Sequence, residues 1–361
     1  MSVKKTPLNR IHREMGGRMV EFAGWEMPVQ YKSAVEEHHA VRKAVGVFDV
    51  SHMGQLEIVG PDAEQMVRSV TCNDVGRLQD GQAQYSAFLT PAGTFVDDIV
   101  VYRFNAERFF ICVNAGTTQK DFDWVVQNQA GNVEISNLSD QYAQIAVQGP
   151  LAEATVQALT ETDLSGIKFY WFTEGQVAGK PGIISRTGYT GEPGFELYVS
   201  TEDAEHVWTR VFEAGKPHGI KAAGLAARNS LRLEMRYPLY GNDIDENRTP
   251  LEAGLGWIVK FNAPFIGRES LEKQKESGVT RKLVGFTMVD AGIARDGYSA
   301  HLEDGSTGEV TSGGFSPSLG KSIGLVYLPA QSAVVGCEFM VDIRGKLRKA
   351  EVVKTPFYTP S

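Results

Sequence analysis

Gln55-Leu-Glu-Ile-Val-Gly60-Pro61-Asp-Ala-Glu-Gln-Met-Val67 and Ala143-Gln-Ile-Ala-Val-Gln-Gly149-Pro150-Leu-Ala-Glu-Ala-Thr-Val156 share the pattern G-P-x-A-E-x-x-V, 89 residues apart. Each reads as a β run, a Gly-Pro turn and the start of a helix. A polar connection and paired β runs follow each copy: 84–89 and 95–102 after the first, 182–186 and 194–199 after the second. Helical patterns close both, near 116–128 and 202–214. A pattern repeated together with its flanking elements points to a duplicated α/β unit with two pseudo-symmetric sheets or half-sheets. Upstream, 35–45 has a helical stripe of Ala40, Val41, Ala44 and Val45, with Gly46 where a C-cap belongs. Past about residue 280 short β runs alternate with glycine-rich turns, the texture of a small barrel or sandwich.

The composition bounds the function. At roughly 150 residues per domain, 361 residues make two or three domains. With 42% hydrophobic and 22% charged residues the chain has material for a core. The 44 acidic against 36 basic residues, net −8, argue against non-specific binding to nucleic acid or anionic membranes. Cys72, Cys112 and Cys337 are too widely spaced for a disulfide framework or a zinc site. Cys112 and Cys337 sit in β-type runs, where buried inert thiols are expected. No signal-type or membrane-length apolar run is present, so a cytoplasmic protein is expected. Neighbours His38 and His39 point about 100° apart on a helix and cannot share a metal there; they read as solvated. His52 reads as a structural hydrogen-bonding residue rather than a catalytic one. In 314–322, Gly-Lys-Ser lacks the P-loop's first glycine, since Phe315 stands there; the segment reads as a β-turn with surface polar residues.

Three acids and one arginine remain. Asp97 and Asp98 interrupt Phe95-Val-Asp-Asp-Ile-Val-Val-Tyr102, and a period of two sends them to opposite faces. An unpaired carboxylate in such surroundings is costly, so the pair either binds backbone amides after the Pro91-Ala-Gly93 turn or lines a cavity. Glu196 opens an apolar strand in the second half, and under the duplication it would sit at a place comparable to Asp98. Arg228 shares a helix face with Leu231 and Met235; it fits either a core salt bridge or a carboxylate ligand.

Together, Phe22-Ala-Gly-Trp25-Glu-Met-Pro28, Gly46-Val-Phe-Asp-Val-Ser-His-Met-Gly54, Val96-Asp-Asp-Ile, Ser185-Arg-Thr-Gly-Tyr-Thr-Gly-Glu-Pro-Gly-Phe-Glu196, Leu239-Tyr-Gly and Thr311-Ser-Gly-Gly-Phe-Ser-Pro-Ser-Leu-Gly320 resemble the T-protein (aminomethyltransferase) family of the glycine cleavage system, from about residue 5 to Tyr358. The resemblance implies an α+β chain, a three-domain cloverleaf around a central folate cavity: 1–54 with about 140–240, 55–139 with about 241–278, and a C-terminal β-barrel over 279–361. It implies transfer of the one-carbon unit from the aminomethyl-lipoyl arm of a transiently bound H-protein to tetrahydrofolate, releasing ammonia and forming 5,10-methylenetetrahydrofolate, with no metal. Asp98 matches the family's acid at the reacting pterin nitrogens. Met53, Tyr85, Tyr102, Asn114, Tyr189, Glu196, Arg228 and Trp257 match positions around the folate. Relatives of the fold offer two other functions, a folate-dependent demethylase of another small donor and a non-enzymatic iron–sulfur assembly protein; no cysteine here follows Lys-Gly, as the latter requires. One departure is Asn229, where the family usually has an aspartate beside the arginine.

Overall fold

The computed structural model describes residues 3–360. By the density of its internal packing the chain divides into two compact units, Met1–Arg68, Asp74–Ser86 and Ile99–Asn229 in the first, and Ser69–Asn73, Ala87–Asp98 and Ser230–Ser361 in the second.

The chain opens with β1 (Lys4–Lys5), α1 (Asn9–Glu14), β2 (Arg18–Phe22) and β3 (Trp25–Gln30), the strands forming a small sheet. Next come α2 (Ala34–Lys43) and β4 (Gly46–Asp49). The first repeat follows as β5 (Gly54–Val59), α3 (Ala63–Val70), β6 (Gln82–Leu89), β7 (Phe95–Asn105), β8 (Arg108–Val113), α4 (Thr118–Gln127) and β9 (Glu134–Asn137). The second is β10 (Tyr142–Gln148), α5 (Ala152–Gln157), β11 (Phe172–Val177), β12 (Lys180–Ser185), β13 (Gly194–Ser200) and α6 (Ala204–Gly215), followed by β14 (Lys221–Ala222) and α7 (Leu225–Glu234). After α8 (Arg268–Ser277), β15 (Arg281–Met288), β16 (Ser299–His301), β17 (Thr307–Ser316), β18 (Lys321–Pro329), β19 (Glu338–Ile343) and β20 (Lys346–Val353) close a barrel.

The duplication is visible in the strand orders. One sheet runs β6-β7-β8-β5-β9 and the other β11-β12-β13-β10-β4-β14. With Gly60 set against Gly149, β6, β7, β8 and β5 match β11, β12, β13 and β10 in order and direction. This corrects one expectation. Ala146, the counterpart of Glu57, pairs with Glu196, whereas Glu57 pairs with Phe110. Glu196 therefore matches Phe110 on β8, not Asp98 on β7. The paired runs read from the sequence omit β8 in the first copy and β11 in the second, which shifts the pairing by one strand.

Alternation along β10 sorts its residues. Ala143, Ile145 and Val147 join a core with Val156 of α5 and Val207, Trp208 and Val211 of α6. Gln144, Ala146 and Gln148 point the other way. On that side the repeats pack together through Ala83, Tyr102, Phe110 and Cys112 of the first and Phe172, Ile183 and Tyr198 of the second. The tyrosine and phenylalanine rings meet edge to face, at 5.7 Å for Tyr102 and Tyr198.

Gly46 is no C-cap. It begins β4, and a Cβ on it would lie 2.4 Å from Val41 Cγ2, so close approach of α2 to the sheet demands the glycine. His38 is fully buried and His39 half-buried, against the expectation of solvated histidines, because α2 also buries Glu37 and Arg42. Glu37 accepts from the backbone N–H groups of Tyr31 and Gly224, and Arg42 pairs with Glu192 at 2.9 Å. In the first unit, Asp49 at the end of β4 accepts from Thr6 at 2.6 Å and Ser51 N–H at 2.9 Å and bonds His12 Nε2 at 2.8 Å, tying α1 to the sheet.

In the second unit the barrel interior is apolar, with Phe286, Val310, Val326, Phe339 and Val352 buried. The Thr311–Gly320 motif forms the β17–β18 hairpin, a turn as expected, but its hydroxyls are not all at the surface. Thr311 and Ser312 donate to Asp243 at 2.6 and 2.7 Å, and Ser316 and Ser318 donate to Glu234. Asp243 also meets Arg232 at 2.6 Å, both fully buried. Removing one partner strands the other charge in the interior. Asp243→Leu should therefore cost about 3–5 kcal/mol of stability, and Arg232→Met with Asp243→Leu much less than the sum of the single changes. Denaturant titration of the three variants checks this; additive losses would contradict it.

Candidate active site

The sequence from Ser185 to Glu196 is shaped by one buried amide. Gln148 Nε2 donates to the Thr187 carbonyl at 3.1 Å, and Gln148 Oε1 accepts from Thr190 at 2.9 Å. A Cβ at Gly188 would lie 2.0 Å from Gln148 Oε1, and one at Gly194 2.5 Å from its Nε2. The glycines let the loop close over this amide, and Thr187 is thereby fixed beside the start of β13.

Glu196 is half-buried there, and both its oxygens are met. Gln144 Nε2 donates to Oε1 at 3.0 Å and Thr187 Oγ1 donates to Oε2. Thr187 is itself bonded to Ser185 at 2.9 Å and lies 3.4 Å from the Tyr102 hydroxyl, which in turn bonds Tyr198 at 2.9 Å. Burial drives the Glu196 pKa above the ordinary carboxylate value, opposed by the bond from Thr187, the charge of Arg228 and the bond from Gln144. Of the four acceptor positions on the carboxylate, two are taken by these donors.

Arg228 of α7 is half-buried, its guanidinium 4.4 Å from the centre of the Tyr189 ring. Its charge is felt by Glu196 and by His52. Asn229 is exposed, so the missing aspartate removes no buried counter-charge.

His52 corrects another expectation. It is buried edge-on against Phe22 at 5.8 Å, and its Nδ1 has no hydrogen-bond partner, so it is not a satisfied structural imidazole. Burial, then the Arg228 charge, push its pKa down to about 4, with Asp49 opposing. The ring is neutral at pH 7.

Of the residues singled out from sequence, Tyr102, Tyr189, Glu196 and Arg228 come together in the first unit. Met53 packs against the Tyr102–Tyr198 cluster, and Tyr85 on β6 and Asn114 after β8 lie half-buried in the same unit. Asp98 and Trp257 belong to the second unit. There Asp97 is fully buried and Asp98 half-buried, the opposite faces that alternation requires, and Trp257 is 59% exposed. Sequence reasoning missed Gln55, Gln144, Thr187 and Tyr198. Gln55 and Gln144 had a signal: each is a polar residue five positions before the repeat's Gly-Pro, in an otherwise largely apolar strand.

The thiol nearest this cluster is a poor nucleophile. Cys112 is buried, and burial pushes its thiol up to about 12, with Glu196 adding to the rise. Cys337 is only partly buried and precedes β19 rather than lying within a strand, which corrects the sequence reading. Among the described residues no cluster of histidine, cysteine and acidic side chains fits a metal ion, and no helix is long and apolar enough to cross a membrane.

Two outcomes follow from this chemistry. In the native protein at pH 7 a thiol reagent should label Cys337 and spare Cys72 and Cys112, read by peptide mass spectrometry; rapid native labelling of Cys112 would contradict the burial. The unfolded chain protonates His52 near 6.5, whereas the folded chain resists until about 4. Stability is thus lost as pH falls through that window, by about 3 kcal/mol from this residue. His52→Gln should flatten the slope between pH 6.5 and 4 in urea titrations, and parallel curves for the two proteins would contradict this.

Residues 8–263 match the GCVT N-terminal domain and residues 281–359 the glycine cleavage T-protein C-terminal barrel domain. An aminomethyltransferase from Desulfitobacterium hafniense is 50% identical, covering 99% of this chain and 98% of its own, and one from Bacillus subtilis is 45% identical with 99% of each covered. The crystal structure of glycine cleavage system aminomethyltransferase T from Bartonella henselae superposes with a TM-score of 0.94 at 32% identity, over 99% of both chains. These likenesses favour the main reading over a demethylase or an assembly protein. The chain belongs to the glycine cleavage T-protein family of aminomethyltransferases.

Proposed function

We propose that this aminomethyltransferase takes the one-carbon unit from the aminomethyl-lipoyl arm of H-protein to tetrahydrofolate, with release of ammonia and formation of 5,10-methylenetetrahydrofolate. The observation that carries the proposal is Glu196, a half-buried carboxylate held by two donors with acceptor positions to spare. A reduced pterin is a flat ring rich in N–H groups, and it asks for aromatic or apolar walls with few convergent acceptors. Glu196 supplies the acceptor, and Met53, Tyr85, Tyr102, Asn114 and Tyr189 the surroundings. The orphaned Nδ1 of His52 is a further polar atom awaiting a partner. Arg228, a planar fork on an aromatic face, suits a carboxylate such as those on the folate tail. Trp257 adds an exposed aromatic surface to the folate set.

Folate supplies the nitrogen nucleophiles that accept the carbon. The protein's part is to hold the ring, exclude water, and place Asp98 to orient the reacting nitrogen and stabilise positive charge as it forms. No thiolate and no metal enter this scheme. The reading puts the reaction in the cytoplasm, with no nucleic acid and no membrane involved. We also read the chain as three domains, 1–54 with about 140–240, 55–139 with about 241–278, and 279–361; each sheet draws its strands from a single one of these ranges, within a residue.

H-protein is a macromolecular substrate bound transiently. With the net charge at −8, an acidic partner must find a local basic patch, so turnover should fall as salt rises. The direct assay mixes the chain with aminomethylated H-protein and tetrahydrofolate and follows ammonia and methylenetetrahydrofolate together; formation of neither would overturn the proposal. Asp98→Asn should keep the fold and folate binding and lose about 10²–10⁴ in single-turnover rate. Asp97→Asn should mainly lower the melting temperature. A stable, inactive Asp97→Asn beside a nearly active Asp98→Asn would reverse the roles of the two faces.

A further inference from the structure

We infer that Gln144, clamped by its repeat counterpart Gln55, is a positioning residue that sets the Glu196 carboxylate for its ligand. The inference rests on the folate reading of Glu196 and adds to it the residues that aim that acid.

The orientation of the Gln144 amide is forced from behind. Its Oε1 receives Gln55 Nε2 at 3.3 Å and Cys112 Sγ at 3.6 Å, both donors. With donors on the oxygen, Nε2 must face the other way, and there it reaches Glu196 Oε1 at 3.0 Å. The backbone is held as firmly: Gln144 N–H donates to Ser51 Oγ at 3.0 Å and its carbonyl accepts from Val50 N–H at 2.9 Å. Gln55 Nε2 also donates to the Met53 carbonyl at 3.0 Å. Gln55 Oε1, however, is buried with no partner. A side chain present only to fill space would be apolar and would not strand an amide oxygen. What its amide nitrogen achieves is to tie the Met53 carbonyl to Gln144 Oε1. The two glutamines are the same position of the two repeats, so the clamp arises where pseudo-equivalent strands β5 and β10 face each other.

Gln144 and Thr187 thus hold one carboxylate oxygen each. Without Gln144 the carboxylate is free to turn about its last torsion, and one opponent of its burial is lost, so its pKa rises further. The groups that interact electrostatically with Glu196 are Arg228 of α7, Tyr102 of β7, Cys112 of β8 and Tyr198 of β13. Burial holds both phenols well above 10 and pushes the thiol up to about 12, so neither phenol nor thiol titrates between pH 5 and 8.

The test is a double-mutant cycle on the full chain, reading tetrahydrofolate affinity by anaerobic calorimetry from pH 5 to 8, with melting temperatures alongside. Gln144→Met should weaken binding about ten-fold, the scale of one lost bond to a charged group, and move the acid limb of binding to higher pH. In the Glu196→Gln background the same change should cost less than about two-fold, because Gln144 acts through that carboxylate. An equal loss in both backgrounds, or unchanged affinity and pH profile in a folded Gln144→Met, overturns the inference while leaving the folate reading intact. Equal affinity of the wild-type and Glu196→Gln proteins would instead remove the folate reading of Glu196, and the inference with it. Should Gln144→Met not fold, Gln55→Met examines the clamp with Gln144 in place: a fall of about three-fold with a raised acid limb is expected, and no change overturns the inference.

Discussion

A carboxyl group half-buried among aromatic side chains is costly to ionise unless donors meet its oxygens and a cation stands near. Glu196 meets those terms through Gln144, Thr187 and Arg228, and much of the first unit's geometry serves them. Thr187 is held by the loop that Gly188 and Gly194 allow to close on Gln148. Gln144 is held by Gln55 from the other repeat. The Arg228 guanidinium is backed by Tyr189. The hydrogen bonds among these contacts lie in a packed interior, where a bond left unmade costs more than a bond made contributes.

Duplication explains how a single chain builds such a place. Each repeat covers one face of its sheet with its own helices and presents the other face to its twin. Residues at matching positions are then brought together, as Gln55 and Gln144 are. The symmetry is only approximate: Glu196 has Phe110 as its counterpart, and Cys112 has Tyr198. One half of the interface supplies an acid and a phenol where the other supplies apolar or weakly polar groups, and a site for one asymmetric ligand needs that difference.

The repeat, the short strands of the C-terminal domain and the opposite faces of Asp97 and Asp98 were legible from turn motifs and side-chain alternation, whereas only the family resemblance distinguished a barrel from a sandwich. The pairing read from the sequence slips by one strand because β8 and β11 carry no turn signal as strong as the Gly-Pro pair. Gly46 read as a cap because a cap and a close approach both call for glycine. His38 and His39 read as solvated because polar type stands in for exposure until tertiary packing overrides it. Glu196 and Arg228 were identified as residues, but the glutamine that aims the acid was not. Its place five residues before the repeat's Gly-Pro is a signal, but its contact with Gln55, 89 positions away, is set by tertiary packing. The buried serine and threonine partners of Asp243 and Glu234 were hidden for the same reason.

The central claim is that Glu196, held by Gln144 and Thr187, is the acceptor for the pterin. The most direct measurement is a crystal structure of the chain with tetrahydrofolate bound under anaerobic conditions. The account predicts pterin N–H groups on the Glu196 oxygens, with the bonds from Gln144 and Thr187 still in place. A pterin bound elsewhere, or a Glu196 carboxylate still satisfied only by Gln144 and Thr187 in the complex, would contradict it.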